Sequence, residues 1–400
     1  MVQDSNILGQ IALSYSPMID RNRSVIATRL TVFPLRPGAE LDGAALLDAI
    51  TEVWPVGGPN VALNVLSEQL LRDLFARQPA THMMIEVPAF MAGDPEHTSA
   101  LATLHDNGNL LLLKGRPVSE LPREVLPFFK QSIIDLADDR RIDQIGAVAP
   151  NGVMRTIPHV QTGVRTVSDM EACFRRGAAA VLGWPIDDAI AGNTRSADQP
   201  GLEVIVQLID QVHKEESIEK LENTLKRDPP LAYKLMRYIN SPAFGLSVEI
   251  SSFRHAIMIL GYQRLKRWLA LLLATASKDV NMRPVMFCSV RRGLLMEELV
   301  RSSGDDEMRG EMFICGVFSL LDRMFRQPFS DLLRTIPVPE RVYQALTDGT
   351  GPYKPYFDLV RAIEGDQLDD IRSAADNLLT SFSEINRAVL RALSNAGQLE

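Results

Sequence analysis

The stretch Lys226–Gly261, KRDPPLAYKLMRYINSPAFGLSVEISSFRHAIMILG, decides how the second half of the chain is read. Asp228 before Pro229 marks a helix start, because a carboxylate accepts from the free amides of a first turn and proline there forfeits no bond. Leu231, Leu235 and Ile239 then line one side, and Ser241-Pro242 ends the helix, proline having no amide to continue it. The next helical pattern, Ser252–Leu260, stops at Gly261, the residue type that best accepts a left-handed turn after a helix. Upstream, Leu202, Ile205, Leu208, Ile209 and Val212 share a face; downstream, Leu265, Trp268, Leu269, Leu272, Leu273 and Ala276 keep the 3.6-residue period. Residues 201–400 therefore read as one all-α domain, with Leu368–Leu399 a charged terminal helix pair at its surface.

Toward the N-terminus the pattern changes. Asp187–Gly201, DDAIAGNTRSADQPG, is small and polar without an apolar period, which places a linker at 191–200. Before it, β-rich runs alternate with helical ones. The strand candidates are Ile7–Tyr15, Ser24–Phe33, Asn60–Val65, His82–Val87, Asn109–Lys114, Ile145–Ala149 and Ala178–Leu182. Leu41–Val53, Ser67–Arg77 and Val167–Arg176 read as helices, the last opening on a capping box of Ser168 and Glu171. Alternation of this kind demands a parallel sheet covered by helices. Seven or eight units in fewer than 200 residues fit a shortened (β/α) barrel over residues 1–190 better than an open sheet.

Composition limits the function classes. At 400 residues the chain holds two or three domains, and 46% hydrophobic with 23% charged side chains is ordinary globular usage. A net charge of −8 gives no overall attraction to nucleic acid or to an anionic membrane, and neither is expected as a partner. Cys173, Cys288 and Cys315 are an odd, widely spaced set, which suggests neither disulfides nor a thiolate metal site. MVQDSNILGQ lacks the features of a secretory signal, and the most apolar run, Trp268–Ala276, is far short of a membrane span, so a reducing cytoplasm is the expected compartment.

Two family resemblances follow from motifs. Lys226-Arg227-Asp228-Pro229-Pro230-Leu231, Leu235 to Ile239 with Asn240-Ser241-Pro242-Ala243-Phe244-Gly245, and Ala256 to Gly261 resemble, in order and spacing, the successive motifs of the HDOD domain. That resemblance implies a helical relative of HD-type metal phosphohydrolases that lacks their metal ligands and works as an interaction or output module. Its motif residues here are Asp228, Asn240, Ser241 and Gly261, with capping and chain reversal as their plain structural roles. His213 and His255, the only histidines after residue 200, are not followed by Asp, and His105-Asp106 runs into the turn Asn107-Gly108.

Ser16-Pro17-Met18-Ile19-Asp20-Arg21 with Val25–Val32, then Ala62–Val65, Met84–Val87, Phe129-Lys130, Thr162–Thr166 and Leu182-Gly183-Trp184, resemble the ordered landmarks of EAL-type cyclic-di-GMP phosphodiesterases. Members of that family hold two divalent cations with carboxylates at strand ends, and the paired ions produce the attacking hydroxide. The departures are many. Arg29 stands at the signature Glu, and the Asp-Asp pair is absent from Leu111–Gly115. The Asp after the family lysine aligns with Ser132, the following two Glu with Thr162 and Arg165, and the closing glutamine with Leu182. Asn64, Glu86 and Lys130 persist as polar residues at the barrel mouth. The early ligand-contacting glutamine and arginine correspond to Ser16 and Phe33. No catalytic, metal-binding or cofactor-binding residue is expected, and no cofactor.

The sequence thus implies a degenerate EAL-like barrel joined to an HDOD domain. Its expected work is protein–protein recognition in cyclic-di-GMP-linked regulation of motility, biofilm or virulence. Partners would be other signalling proteins, such as GGDEF or EAL proteins or response regulators. A non-hydrolysing receptor for cyclic di-GMP or a related nucleotide is the alternative, with Arg29, Lys114 and Arg165 as sources of positive charge, and metal-dependent hydrolysis is the third. The basic residues Arg264, Lys266, Arg267, Lys278, Arg283, Arg291, Arg292 and Arg301 read as a solvated face on core helices.

Overall fold

A computed structural model describes residues 7–54, 60–77, 79–117, 120–138, 157–188, 200–227, 231, 235, 253–274, 280–325, 327–334, 336 and 338–396. Eight strands close into a barrel in sequence order: β1 (Ile11–Asp20), β2 (Val25–Pro34), β3 (Val61–Val65), β4 (Met83–Pro88), β5 (Leu111–Lys114), β6 (Phe129–Asp135), β7 (His159–Thr162) and β8 (Ala180–Leu182). From β2 to β8 the neighbours are parallel. The wholly parallel sheet expected from the alternation is corrected at one place: β1 runs antiparallel to both β2 and β8. Only four residues separate β1 from β2, enough for a hairpin and far too few for a crossover. Asp20 Oδ1 accepts from the amides of Asn22 and Ser24, 2.9 Å each, and fixes that turn.

Two strands escape the sequence pattern. β6 carries Lys130, Gln131 and Ser132 in succession, which breaks the alternation, and β7 is four residues long. The strand expected at Ile145–Ala149 lies outside the described residues. The helices agree more closely: α1 (Gly43–Val53) is capped by Asp42, α2 (Glu68–Phe75) by Ser67, and α3 (Ala89–Ala92) and α4 (Pro95–Asp106) follow β4. In α5 (Val167–Arg175) the cap is Thr166, whose Oγ1 accepts from the Asp169 amide at 2.9 Å, rather than Ser168.

Period-two alternation fills the barrel in layers. Ala27, Ala62, Met84, Leu112, Ile133, Val160, Ala180, Leu182 and Met18 form an apolar floor. One register step toward the C-terminal ends of the parallel strands, the inward positions become Arg29, Asn64, Glu86, Lys114, Asp135 and Thr162. After β8, Gly183 has φ 139°, and a Cβ there would lie 2.1 Å from the Val164 carbonyl oxygen, so only glycine lets the chain pass.

The contacts divide the chain into two compact units: residues up to Asp188 together with those from Asp358 onward, and Ala189–Phe357. The last residues thus belong with the barrel, which corrects the expected single domain at 201–400. The second unit contains α6 (Pro200–His213), α7 (Ile218–Leu225), α8 (Phe253–Ala274), α9 (Arg283–Leu299) and α10 (Asp306–Phe318), then the short turns Leu321–Phe325, Phe329–Leu332 and Glu340–Tyr343. Gly261 takes φ 68° and kinks α8, as its expected role at a helix end requires. Arg291 and Arg292, expected on a solvated face, are 2% and 4% exposed. Arg291 stacks 3.9 Å from the centre of the Phe287 ring, and Arg292 donates to Ser319 Oγ at 3.1 Å, contacts that let a guanidinium enter a core. The helices α11 (Lys354–Ile363), α12 (Leu368–Leu378) and α13 (Phe382–Ala396) complete the described chain. The three cysteines are buried free thiols, and burial pushes that of Cys315 up to about 12.

Candidate functional site: the mouth of the barrel

The polar layer at the mouth is internally paired. Arg29 on β2 donates from Nε to Glu86 Oε1 at 2.7 Å and from Nη2 to Glu86 Oε2 at 2.6 Å, a two-point pair that occupies both carboxylate oxygens. The Glu86 side chain is fully buried and that of Arg29 is 13% exposed. The third Arg29 nitrogen, Nη1, reaches Thr162 Oγ1 on β7 at 3.5 Å. Beside this pair, Lys114 at the end of β5 donates to Asn64 Oδ1 at 2.6 Å, and Asn64 Nδ2 donates to Thr31 Oγ1 at 3.1 Å. Burial holds the Lys114 amine below the ordinary lysine range; Glu86 nearby pulls it upward and Arg29 pushes it down.

Asn64, Glu86 and Arg29 are therefore brought together as the sequence expects. Lys130 is not. It is exposed near the start of β6, at the opposite end of the strand from the mouth, and Ser132 lies mid-strand. The carboxylate at the mouth end of β6 is Asp135, opposite Thr162 and two residues past Ile133, the register partner of Lys114. Sequence reasoning missed it because the polar run at the start of the strand hid where β6 ends. Arg165 is also absent from the mouth: its Nε donates to Asp187 Oδ2 at 2.6 Å on the surface. Thr31, which ties Asn64 in place, gave no signal beyond its odd-numbered register with Arg29. Leu182 belongs to the apolar floor. Of the HDOD motif residues, Asp228, Asn240 and Ser241 lie outside the described residues.

A cleft of about 740 Å³ opens beside the network, between the ends of β3, β4 and β5. Its charged lining is Lys114, Arg116, Glu68 and Asp94, and Leu66, Leu71, Phe90, Met91 and Leu121 are among its apolar residues. Phe90 is 65% and Leu66 45% exposed. Among the described residues no group of three His, Cys, Asp or Glu side chains is placed to hold a metal ion. The donors at the mouth do not fit the pair of divalent cations that the EAL resemblance implies. Hard cations take oxygen-rich shells, whereas both oxygens of Glu86 and Oδ1 of Asn64 already face cations of the protein.

Comparison with known proteins now bears on the whole chain. The HDOD domain family matches residues 200–325. The cyclic di-GMP phosphodiesterase CdgJ of Vibrio cholerae is 22% identical over 345 residues, 82% of this chain and 79% of that protein. These matches support the EAL-HDOD tandem order that the sequence implies. The uncharacterized protein YuxH of Bacillus subtilis is 28% identical to the tandem over 179 residues, and that match spans 43% of each chain. Among solved structures, the PaMucR phosphodiesterase in complex with c-di-GMP has 18% identity, covers 45% of the tandem and 96% of its own chain, and gives a TM-score of 0.34. The barrel assignment rests on the closed ring of strands itself. No helix among the described residues of the tandem is long and apolar enough to cross a membrane.

Proposed function

We propose that the tandem is a catalytically inactive signal-transduction protein of cyclic-di-GMP-linked regulation, acting through protein–protein contact in motility, biofilm or virulence control. The observation that carries this reading is the pairing of Arg29 with both oxygens of Glu86. A carboxylate saturated by a guanidinium is neither a ligand for a dication nor a base for water. Lys114 adds a second cation where a hydrolytic centre would gather anionic oxygen. The helical unit would serve as output toward other signalling proteins, GGDEF or EAL proteins or response regulators. The test is incubation of the intact chain at high concentration with cyclic di-GMP and Mg²⁺ or Mn²⁺. No linear dinucleotide is expected, and steady production of it overturns the reading.

One observation favours a second reading, a receptor that binds cyclic di-GMP or a related nucleotide without cutting it. Lys114 and Arg116 line a cleft that also presents Phe90, two cations beside an exposed ring of the kind a nucleotide's phosphate and base engage, with Glu68 and Asp94 in the same lining. Calorimetric titration of the intact chain with cyclic di-GMP in the absence of divalent ions separates the two: saturable heat supports the receptor, and its absence leaves the interaction protein.

A further inference from the structure

The seam where β8 returns to β1 is only partly closed by strands. β8 is three residues long and pairs with Met18–Asp20 of β1, leaving the rest of that edge beyond its reach. Single groups continue the seam toward the mouth. The Gly183 amide donates to the Pro17 carbonyl at 3.2 Å, and Trp184 Nε1 donates to the Tyr15 carbonyl at 3.2 Å. The last step comes from the far end of the chain. Asn386 Oδ1 accepts from the Leu13 amide at 3.0 Å, and its Nδ2 donates to the carbonyls of Ile11 at 2.8 Å and Leu8 at 2.7 Å. A primary amide offers the acceptor and two donors that a neighbouring strand's backbone would offer there. Asn386 is fully buried, so each of these bonds replaces water that is absent.

The helix carrying Asn386 is built to hold this position. Ser381 and Glu384 form a reciprocal capping box at its start: the Glu384 amide donates to Ser381 Oγ, and the Ser381 amide donates to Glu384 Oε2. Ile385, Val389 and Leu393, all buried on one face, recur at four-residue spacing and seat α13 on the barrel. The preceding helix adds Arg372, whose Nη2 donates to the carbonyl of Leu35, just past the end of β2. Because β1 is antiparallel, its beginning lies at the mouth: Ser14 is opposite Thr31, the residue that starts the chain Thr31, Asn64, Lys114.

From this we infer that the chain's last two helices are a strap that closes the barrel seam at its mouth, and that the helical unit Ala189–Phe357 is an insertion between β8 and this strap. The mouth network is thereby held by a segment that follows the helical unit in sequence, so a force on the end of that unit reaches β1 through Asn386. The inference does not depend on what the mouth binds.

The test is hydrogen exchange of the intact chain carrying Asn386→Ala, read by mass spectrometry, with the rate of acylation of Lys114 measured alongside. Removing the buried amide that joins the Leu13 N–H to the Ile11 and Leu8 carbonyls across the seam is expected to speed exchange in peptides covering 8–16 and 382–396 by roughly 10- to 100-fold. Peptides covering 283–318 stay unchanged, and Lys114 reacts faster. Exchange in 8–16 that stays at the wild-type rate, or a change centred on 283–318, overturns the strap; unchanged Lys114 reactivity with a loosened β1 overturns its reach to the mouth. If Asn386→Ala does not fold, Arg372→Ala, on the half-exposed side of the strap, gives the same reading with a smaller increase around residues 33–37.

Discussion

Arg29 on β2 and Glu86 on β4, two strands apart in the barrel, meet in a two-point ion pair whose carboxylate is wholly buried. The guanidinium at position 29 makes Glu86 half of an ion pair in which both carboxylate oxygens have a protein partner. The energetics of such pairs are asymmetric, because removing one partner strands the other charge in a poor solvent.

Arg29→Met is therefore expected to destabilise the barrel by about 3–5 kcal/mol, and Glu86→Gln by a similar amount. The double variant Arg29→Met with Glu86→Gln should recover much of that loss, since it leaves no uncompensated charge. A double-mutant cycle by chemical denaturation, following the barrel's transition, measures the coupling. Additive losses would show that the two residues do not act as a pair.

Lys114 gives a pH-dependent prediction with a fixed sign. Its pKa is lowered in the folded protein by burial, so between that value and the ordinary lysine value of about 10.4 the unfolded chain binds more protons than the folded one. Barrel stability should rise with pH across that window, and Lys114→Met should remove the rise. The same depression makes Lys114 the more reactive amine toward an acylating reagent at mildly alkaline pH than exposed Lys214, measured by peptide mass spectrometry.

His82 is buried, and neither ring nitrogen has a hydrogen-bond partner among the described residues. Burial lowers its pKa, so protonation is resisted in the fold, and stability is lost as pH falls from about 6.5 through the lower folded value. His82→Phe should flatten this acid limb of the stability profile, and an unchanged limb would assign it to other groups.

Gly316 sets the approach of α9 and α10. A Cβ there would lie 2.5 Å from the backbone of Arg292, and one on Gly293 would lie 2.4 Å from Val317 Cγ2. Gly316→Ala should destabilise the helical unit by about 3 kcal/mol, because backbone cannot yield as a side chain can. Gly310→Ala on the same helix meets only the Gln263 side-chain oxygen at 3.8 Å and should be neutral or slightly stabilising. Thermal unfolding of both variants distinguishes crowding from a general intolerance of alanine.

Much of this was legible in the residues. The apolar stripes of the helices, the break at Gly261 and most strands follow from local rules, since periodicity and helix breaks depend on neighbours a few residues apart. The cation at position 29 and the absence of acidic residues from Leu111–Lys114 were also visible, because residue types are read directly. Lys130 shows where such reading stops: β6 escaped the pattern, motif order alone placed Lys130 at the mouth, and the strand's register puts it at the exposed start instead.

By itself, then, the amino-acid sequence determined the two kinds of architecture in this chain and placed the cations Arg29 and Lys114 on strands. The tertiary structure alone decided that Arg29 would spend its charge on Glu86, that Arg291 and Arg292 would enter a core, and that Asn386 would finish a strand edge more than 370 residues away. Local pattern is fixed by bonds and periods within a few turns of chain. Long-range partners are fixed by which unsatisfied groups the closed barrel leaves facing one another, and no short window of sequence contains both.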